Sequence, residues 1–191
     1  MNSEYYAFVE SLVDVAIANN SASTEDLLAA KYNDALTVSE KITEHVGVVG
    51  EKLEITNFAI IADKTVVAYN HPGNQVATLV ALTSDSDAAK DAGKQVAMQA
   101  AAMNPVALNK EGIDQKTIDN EIEIGKELAI KEGKPAEMAE KIAMGRLNKF
   151  FKENTLLSQA FIKDNKKSVQ QFLQDTEKDL TASAFKRFAL K

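Results

Sequence analysis

Few side chains in this sequence have the type and spacing that catalysis or metal binding requires. Its only imidazoles are His45 and His71, and cysteine is absent, which excludes thiol nucleophiles and thiolate metal sites. The histidines lie in unrelated segments, and no catalytic triad pattern, phosphate-binding glycine loop or HExxH zinc motif accompanies them. Each is better interpreted as a surface residue, and His71, at a predicted loop tip, could contact a partner. We therefore expect no enzyme activity, no metal and no cofactor.

Two charged clusters have ordinary structural interpretations. Asp85 and Asp87 precede a predicted helix, where carboxylates usually cap the first turn rather than form a catalytic pair. The basic stretch at 163–167 is short, and the chain carries 22 basic against 28 acidic residues, a net charge of −6. This negative charge disfavours direct binding of nucleic acid or of an anionic membrane surface.

Length and composition predict an ordinary globular protein. The 191 residues, 45% of them apolar, are enough to bury a core without disulfide or metal cross-links. No apolar run is long enough to span a membrane, and the first residues lack the pattern of a signal peptide. With no cysteine to suggest an oxidising compartment, we expect a soluble, cytoplasmic protein.

Hydrophobic periodicity predicts helices first and strands second in the amino-terminal part of the chain. Three short helices are expected, the third ending at Gly47. A two-residue period from Lys52, carried by Leu53, Ile55 and then Phe58 to Ile61, predicts a first strand, and the segments at 65–69 and 75–82 predict two more. Their connections are so short that the three strands must form an antiparallel meander. The last segment, AFKRFALK at 184–191, also alternates and predicts an edge strand.

Three long helices are predicted in the second half. The first is capped at Ser84 and Asp85 and stops before Pro105; the next two, 114–132 and 135–152, form an antiparallel hairpin. Two long arms bury little core between them, so the hairpin must rest on the body or on another molecule. The apolar positions expected to pack the hairpin or to mediate dimerisation are Ile118, Ile122, Met138 and Ile142.

These elements predict an α+β fold. We expect two small antiparallel-sheet lobes covered by helices, with a projecting, coiled-coil-like helical hairpin. The predicted divisions are an amino-terminal core subdomain at 1–84, a long-helix and hairpin dimerisation region at 85–156, and the carboxyl-terminal part of the core at 157–191.

Four segments together resemble the bacterial elongation factor Ts family, the nucleotide-exchange factors of the translational GTPase EF-Tu. They are VGEKLEITNF at 49–58, YNHPGNQVATLV at 69–80, DAGKQVAMQAAAMNP at 91–105 and EGKPAEMAEKIAMGRLNKFFKENTLLSQAFIKDNKKSV at 132–169. The last is the most distinctive. The resemblance implies a factor that binds GDP-bound and nucleotide-free EF-Tu and promotes exchange of GDP for GTP during elongation.

The resemblance also implies where EF-Tu is contacted. The matching positions are Val49, Gly50, His71, Ile162 and Lys163. Family members normally begin with a ubiquitin-associated-like helical domain and a T-D-F-V motif, which this sequence does not show, so we expect reduced exchange activity. The alternative is a homodimeric scaffold or interaction module built on the helical hairpin, with no exchange activity.

Overall fold

Internal contacts divide the chain into two units, residues 1–60 and 61–191, of which a computed structural model describes residues 3–190. The sequence predicts divisions at 84 and 156 instead. The difference arises because the predicted amino-terminal sheet lies in the second unit, where it pairs with a strand from the end of the chain. Helices together with antiparallel sheets of three and two strands confirm the predicted α+β class.

Residues 3–60, the described part of the first unit, contain three helices. They are α1 (Ser3–Ala18), α2 (Thr24–Ala29) and α3 (Val38–Val49). Thr37 starts α3 with a capping box, in which its hydroxyl accepts from the Glu40 N–H while the Glu40 carboxylate accepts from the Thr37 N–H. The helix runs through Gly47, the predicted end, and stops at Gly50, whose left-handed φ of 77° terminates it.

The segment at 51–62 belongs to no helix or strand, so the strand predicted over Leu53, Ile55 and Phe58 to Ile61 is wrong. Its residues make no backbone-to-backbone hydrogen bond with any part of the described chain. Leu53, Ile55 and Phe58 instead pack, partly buried, against the helical core of the first unit. Alternating apolar residues such as Leu53 and Ile55 need cover on one side of the chain, and here the helices supply it in place of a sheet.

The second unit contains the strands and the longer helices. Its strands are β1 (Thr65–Asn70), β2 (Val76–Leu82), β3 (Ala160–Phe161), β4 (Asp164–Ser168) and β5 (Ala182–Ala189). Its helices are α4 (Asp87–Met103), a 3₁₀ turn at Lys110–Gly112, α5 (Gln115–Lys131), α6 (Ala136–Asn154) and α7 (Val169–Thr176). The antiparallel main sheet has the order β1-β2-β5, so the last strand is an edge strand, as predicted, and β3 pairs with β4 in a separate ribbon.

The main sheet is covered by α4 through small side chains. A Cβ added at Gly93 would lie 2.6 Å from Leu82 Cδ1 and 2.8 Å from Val67 Cγ2, so the helix sits directly on the strands. The helix is capped by Ser86 rather than by the predicted Ser84 and Asp85. The buried face consists of Ala89, Ala92, Gly93, Val96, Ala97, Gln99, Ala100 and Ala101.

Helices α5 and α6 form the predicted antiparallel hairpin. Asp114 caps α5 by accepting a hydrogen bond from the Thr117 N–H at 2.8 Å, and Gly133 turns the chain with a φ of 77°. A Cβ at Gly125 would lie only 3.0 Å from the Ala143 Cα, so the two arms touch backbone to backbone there. The buried residues of the two arms are Gly125, Ala129, Ala139, Ala143 and Leu147.

A carboxylate linking α4 to the end of α7 makes the second unit sensitive to acid. The Ser86 hydroxyl, which caps α4, donates to Glu177, and hydrogen bonds from Ser86 and Ser84 hold the pKa of that carboxyl below its usual value. A lowered folded-state pKa adds stability above the unfolded pKa, about 4.3 for glutamate, and this contribution is lost as pH falls through the folded value. We expect Glu177→Gln to flatten the acid side of the melting-temperature profile, and a profile parallel to wild type would contradict this.

Candidate functional site

His71 lies immediately after β1, in the turn that leads to β2. Its N–H donates to the Val76 carbonyl at 2.8 Å, which closes the turn, and Gly73 adopts a left-handed φ of 93°. The imidazole is exposed, and its Nδ1 lies 3.0 Å from the Tyr69 hydroxyl. Tyr69 therefore orients the ring, and Nε2 is the nitrogen left for an outside partner.

Ile162 and Lys163 form the turn between β3 and β4, hereafter the 162–163 turn. The Ile162 side chain is 54% exposed. Lys163 is exposed and has no carboxylate within 4.0 Å among the described residues, whereas the nearby Lys167 pairs with Asp175 at 2.8 Å. The turn thus presents an apolar side chain next to an uncompensated positive charge.

Both turns belong to the second unit, in which α4 binds the 162–163 turn and the strand that follows the His71 turn. The hydroxyl of Thr78, two residues after the His71 turn closes, donates to the Ala97 carbonyl at 2.9 Å. The Ile162 N–H donates to Gln99 Oε1 at 3.0 Å. Helix α4 therefore contacts the 162–163 turn directly, and it contacts the strand β2 that follows the His71 turn.

Val49 and Gly50 lie in the first unit, at the carboxyl end of α3. Val49 is 44% exposed, and the Gly50 N–H closes the helix on the Val46 carbonyl at 2.8 Å. His45, one turn earlier, stacks on Phe8 at 4.0 Å between ring centroids, and its buried Nε2 has no hydrogen-bond partner among residues 3–190. The His45 ring is thus half-buried against Phe8, and the interpretation of His45 as a surface residue is wrong.

The hairpin positions expected from the sequence do not form its innermost seam. Ile118, Ile122 and Ile142 are only partly buried, and Met138 is 51% exposed. Smaller residues occupy the seam, and their four-residue spacing, Gly125 to Ala129 and Ala139 to Ala143, is the sequence signal that identifies it. The exposed large apolar residues of the hairpin are Ile124, Leu128, Ile130, Met138 and Met144.

The sequence alone did not single out Gln99, a further functional candidate. It lies within the alanine stripe of α4, and its amide bonds to the backbone next to the 162–163 turn. The sequence signal that could have identified Gln99 is a single polar residue on an otherwise apolar helix face. A buried amide must be hydrogen-bonded, so such a residue indicates a specific partner inside the fold.

Neither a metal centre nor a membrane span is found in the described residues. Within residues 3–190, no group of three or more His, Asp or Glu side chains is placed to hold a metal ion. The same residues contain no helix that is both long and apolar enough to cross a membrane.

Comparison with known proteins shows the family to which the chain belongs. A family model described as elongation factor TS matches residues 1–191. The chain is 47% identical over 189 residues to elongation factor Ts of Christiangramia forsetii, covering 99% of this chain and 68% of that protein. It is 49% identical over 183 residues to that of Cytophaga hutchinsonii, covering 95% and 66%. With the protein of Porphyromonas gingivalis it shares 40% identity over 189 residues, covering 99% and 68%.

Proposed function

Because the chain belongs to the elongation factor Ts family, we propose that it binds the GTPase EF-Tu and promotes exchange of GDP for GTP during the elongation of protein synthesis. The observation that carries this proposal is the family match along the whole of residues 1–191. The segments that match the family also contain the exposed turns of the second unit, which gives the proposal specific residues.

Nucleotide exchange requires no catalytic group. A factor that binds nucleotide-free EF-Tu more tightly than GDP-bound EF-Tu must weaken GDP binding by the same factor, because the two equilibria are linked. Contacts made equally in both states supply affinity, and contacts made better in the nucleotide-free state drive release. The protein would act as a binding protein, not as an enzyme.

We assign the EF-Tu contacts to Val49, Gly50, His71, Ile162 and Lys163. Val49 and Ile162 are apolar yet exposed, and each stands at the end of an ordered element. Apolar side chains on rigid supports lose little conformational entropy on binding and become dry anchors in an interface. Lys163 adds a positive charge that would favour an acidic patch on EF-Tu.

The test of the proposal is release of a fluorescent GDP analogue from EF-Tu as the 191-residue chain is titrated to excess. Binding to EF-Tu is measured in the same samples by calorimetry. We expect both binding and release faster than the spontaneous rate. Binding without faster release would leave only the docking role, and no binding would contradict the proposal.

Replacing His71 with alanine should weaken EF-Tu binding by about 1 kcal/mol, because a partner would lose a hydrogen bond and a packed ring. Tyr69→Phe is the matched control: it removes the hydroxyl that lies 3.0 Å from Nδ1 but keeps both rings, so its effect should be smaller. Calorimetric affinity equal to wild type in His71→Ala would argue against the contact.

Self-association through the hairpin is a second candidate role, and the exposed apolar residues of its arms favour it. Ile130 and Met138, 57% and 51% exposed, are large apolar side chains without cover in the single chain. We expect a homodimer whose mass in sedimentation rises with concentration, and Met138→Glu should shift it toward monomer. A scaffold without exchange activity would dimerise but would not bind EF-Tu.

A further inference from the structure

The side chain of Gln99 is buried in an unusual place for an amide. It is 1% exposed and lies among the buried alanines of α4. Transfer of an amide from water to an apolar environment is unfavourable unless its donor and acceptor atoms are hydrogen-bonded. The position of Gln99 therefore depends on what its amide binds.

Both ends of the Gln99 amide bind the chain next to the 162–163 turn. Oε1 accepts from the Ile162 N–H at 3.0 Å, and Nε2 donates to the Ala160 carbonyl at 3.0 Å. Nε2 also lies 3.3 Å from Gln159 Oε1. The Gln99 side chain presents an acceptor and a donor in one plane, as the backbone of a neighbouring strand does in a sheet. Its amide therefore takes the place of an adjacent strand.

The 162–163 turn needs such outside support. Two-residue turns between antiparallel strands favour left-handed φ values, but neither Ile162 nor Lys163 has a positive φ, and a β-branched residue resists that region. The flanking ribbon adds little, because β3 has two residues and its register with β4 shifts between Ala160 and Phe161.

Gln159 extends the same chain of hydrogen bonds to α6. It is 2% exposed, and its Nε2 donates to the Glu153 carbonyl at 2.9 Å. The orientation of its amide is thereby fixed, with Oε1 toward Gln99. Flipping the Gln99 amide would place donor against donor at Ile162, so only one arrangement satisfies all the partners.

We propose that Gln99 is a positioning residue that holds the 162–163 turn in the conformation that contacts EF-Tu. This inference rests on the proposed function, because the contact between Ile162 and EF-Tu is itself part of that proposal. Gln99 acts through Ile162 and has no contact with EF-Tu of its own. A turn held before binding loses less entropy when a partner engages it.

Amide hydrogen exchange of the unmodified chain tests the support itself. The Ile162 amide should exchange much more slowly than the Lys163 amide, which has no acceptor among residues 3–190. Equal exchange rates for the two neighbours would overturn the proposal, and this measurement needs no substitution.

Affinity for EF-Tu tests the role in binding. We expect Gln99→Met to weaken binding about tenfold, corresponding to about 1.4 kcal/mol. Thr155→Val is the matched control: it also removes a buried hydrogen bond in the second unit, from the Thr155 hydroxyl to the Phe151 carbonyl at 2.8 Å, and should leave affinity unchanged. An equal loss in both variants would show a general effect of stability and overturn the proposal.

A double-mutant cycle with Ile162→Ala separates this inference from the proposed function. If Gln99 acts through Ile162, Gln99→Met has little further effect once Ile162 is alanine. A loss of affinity in Ile162→Ala but not in Gln99→Met would overturn the role of Gln99 alone. Wild-type affinity in Ile162→Ala would overturn the EF-Tu contact and the role of Gln99 together.

Discussion

Replacing Gly125 with leucine will lower the free energy of unfolding by about 3 kcal/mol, the upper part of the range for overpacked sites. Any Cβ at this position lies 3.0 Å from the Ala143 Cα and 3.1 Å from its Cβ. The obstructing atoms include backbone, so they cannot rotate away, and the arms of the hairpin must separate. Leucine adds three further carbons at the point where the helices are closest.

Gly145→Ala is the matched control for this substitution. Gly145 is the other glycine within the two hairpin helices, and a Cβ there would meet nothing within 4 Å. Because glycine is unfavourable in helix interiors, we expect alanine to raise the free energy of unfolding by up to about 1 kcal/mol. Urea unfolding followed by far-UV circular dichroism measures both changes. Wild-type stability in Gly125→Leu would show that the arms do not touch at this residue.

The small residues of the seam also explain the exposed surface of the hairpin. With Gly125, Ala129 and Ala143 at the seam, the helices approach closely, and the larger apolar side chains are not needed between them. Ile130 and Met138 consequently remain on the outside. Close packing within one chain thus leaves apolar surface for another molecule, which is why we associate self-association with this hairpin.

Helices were more predictable from this sequence than strands, for local reasons. Capping side chains act within one turn, so Thr37 and Asp114 mark helix starts without tertiary information. The predicted end of α3 at Gly47 is wrong because a glycine within a helix lowers helix stability by only about 1 kcal/mol, which the neighbouring turns can offset. The true stop, Gly50, is distinguished by a left-handed conformation, a property of the folded chain.

Strand pairing depends on partners that are distant in sequence. The apolar run at 58–61 is typical of a strand, but no strand among the described residues pairs with it, while β2 pairs with β5 from the far end of the sequence. In the candidate site, too, some features follow from the local sequence and others depend on residues distant in sequence. The family resemblance implies a contact at Ile162 and Lys163, whereas the support from Gln99 follows only from the fold, since nothing local links residue 99 to residue 162.

Replacing Ile162 with aspartate should weaken EF-Tu binding about thirtyfold, corresponding to about 2 kcal/mol. The side chain is 54% exposed in the free chain, so the substitution should leave folding almost unchanged. In a complex the isoleucine would be buried, and an unpaired carboxylate in its place would lose its hydration without gaining a partner. Calorimetric titration against EF-Tu measures the change in affinity.

Val106→Asp is the matched control for Ile162→Asp. Val106 belongs to the same unit and is 59% exposed, so it matches Ile162 in side-chain class and accessibility, but it lies outside the positions assigned to EF-Tu. Both variants lower the net charge equally, so a general electrostatic effect would weaken both. Loss in Ile162→Asp alone would place the contact at the 162–163 turn. Equal losses would instead indicate long-range charge repulsion, and unchanged affinity in both would remove this turn from the interface.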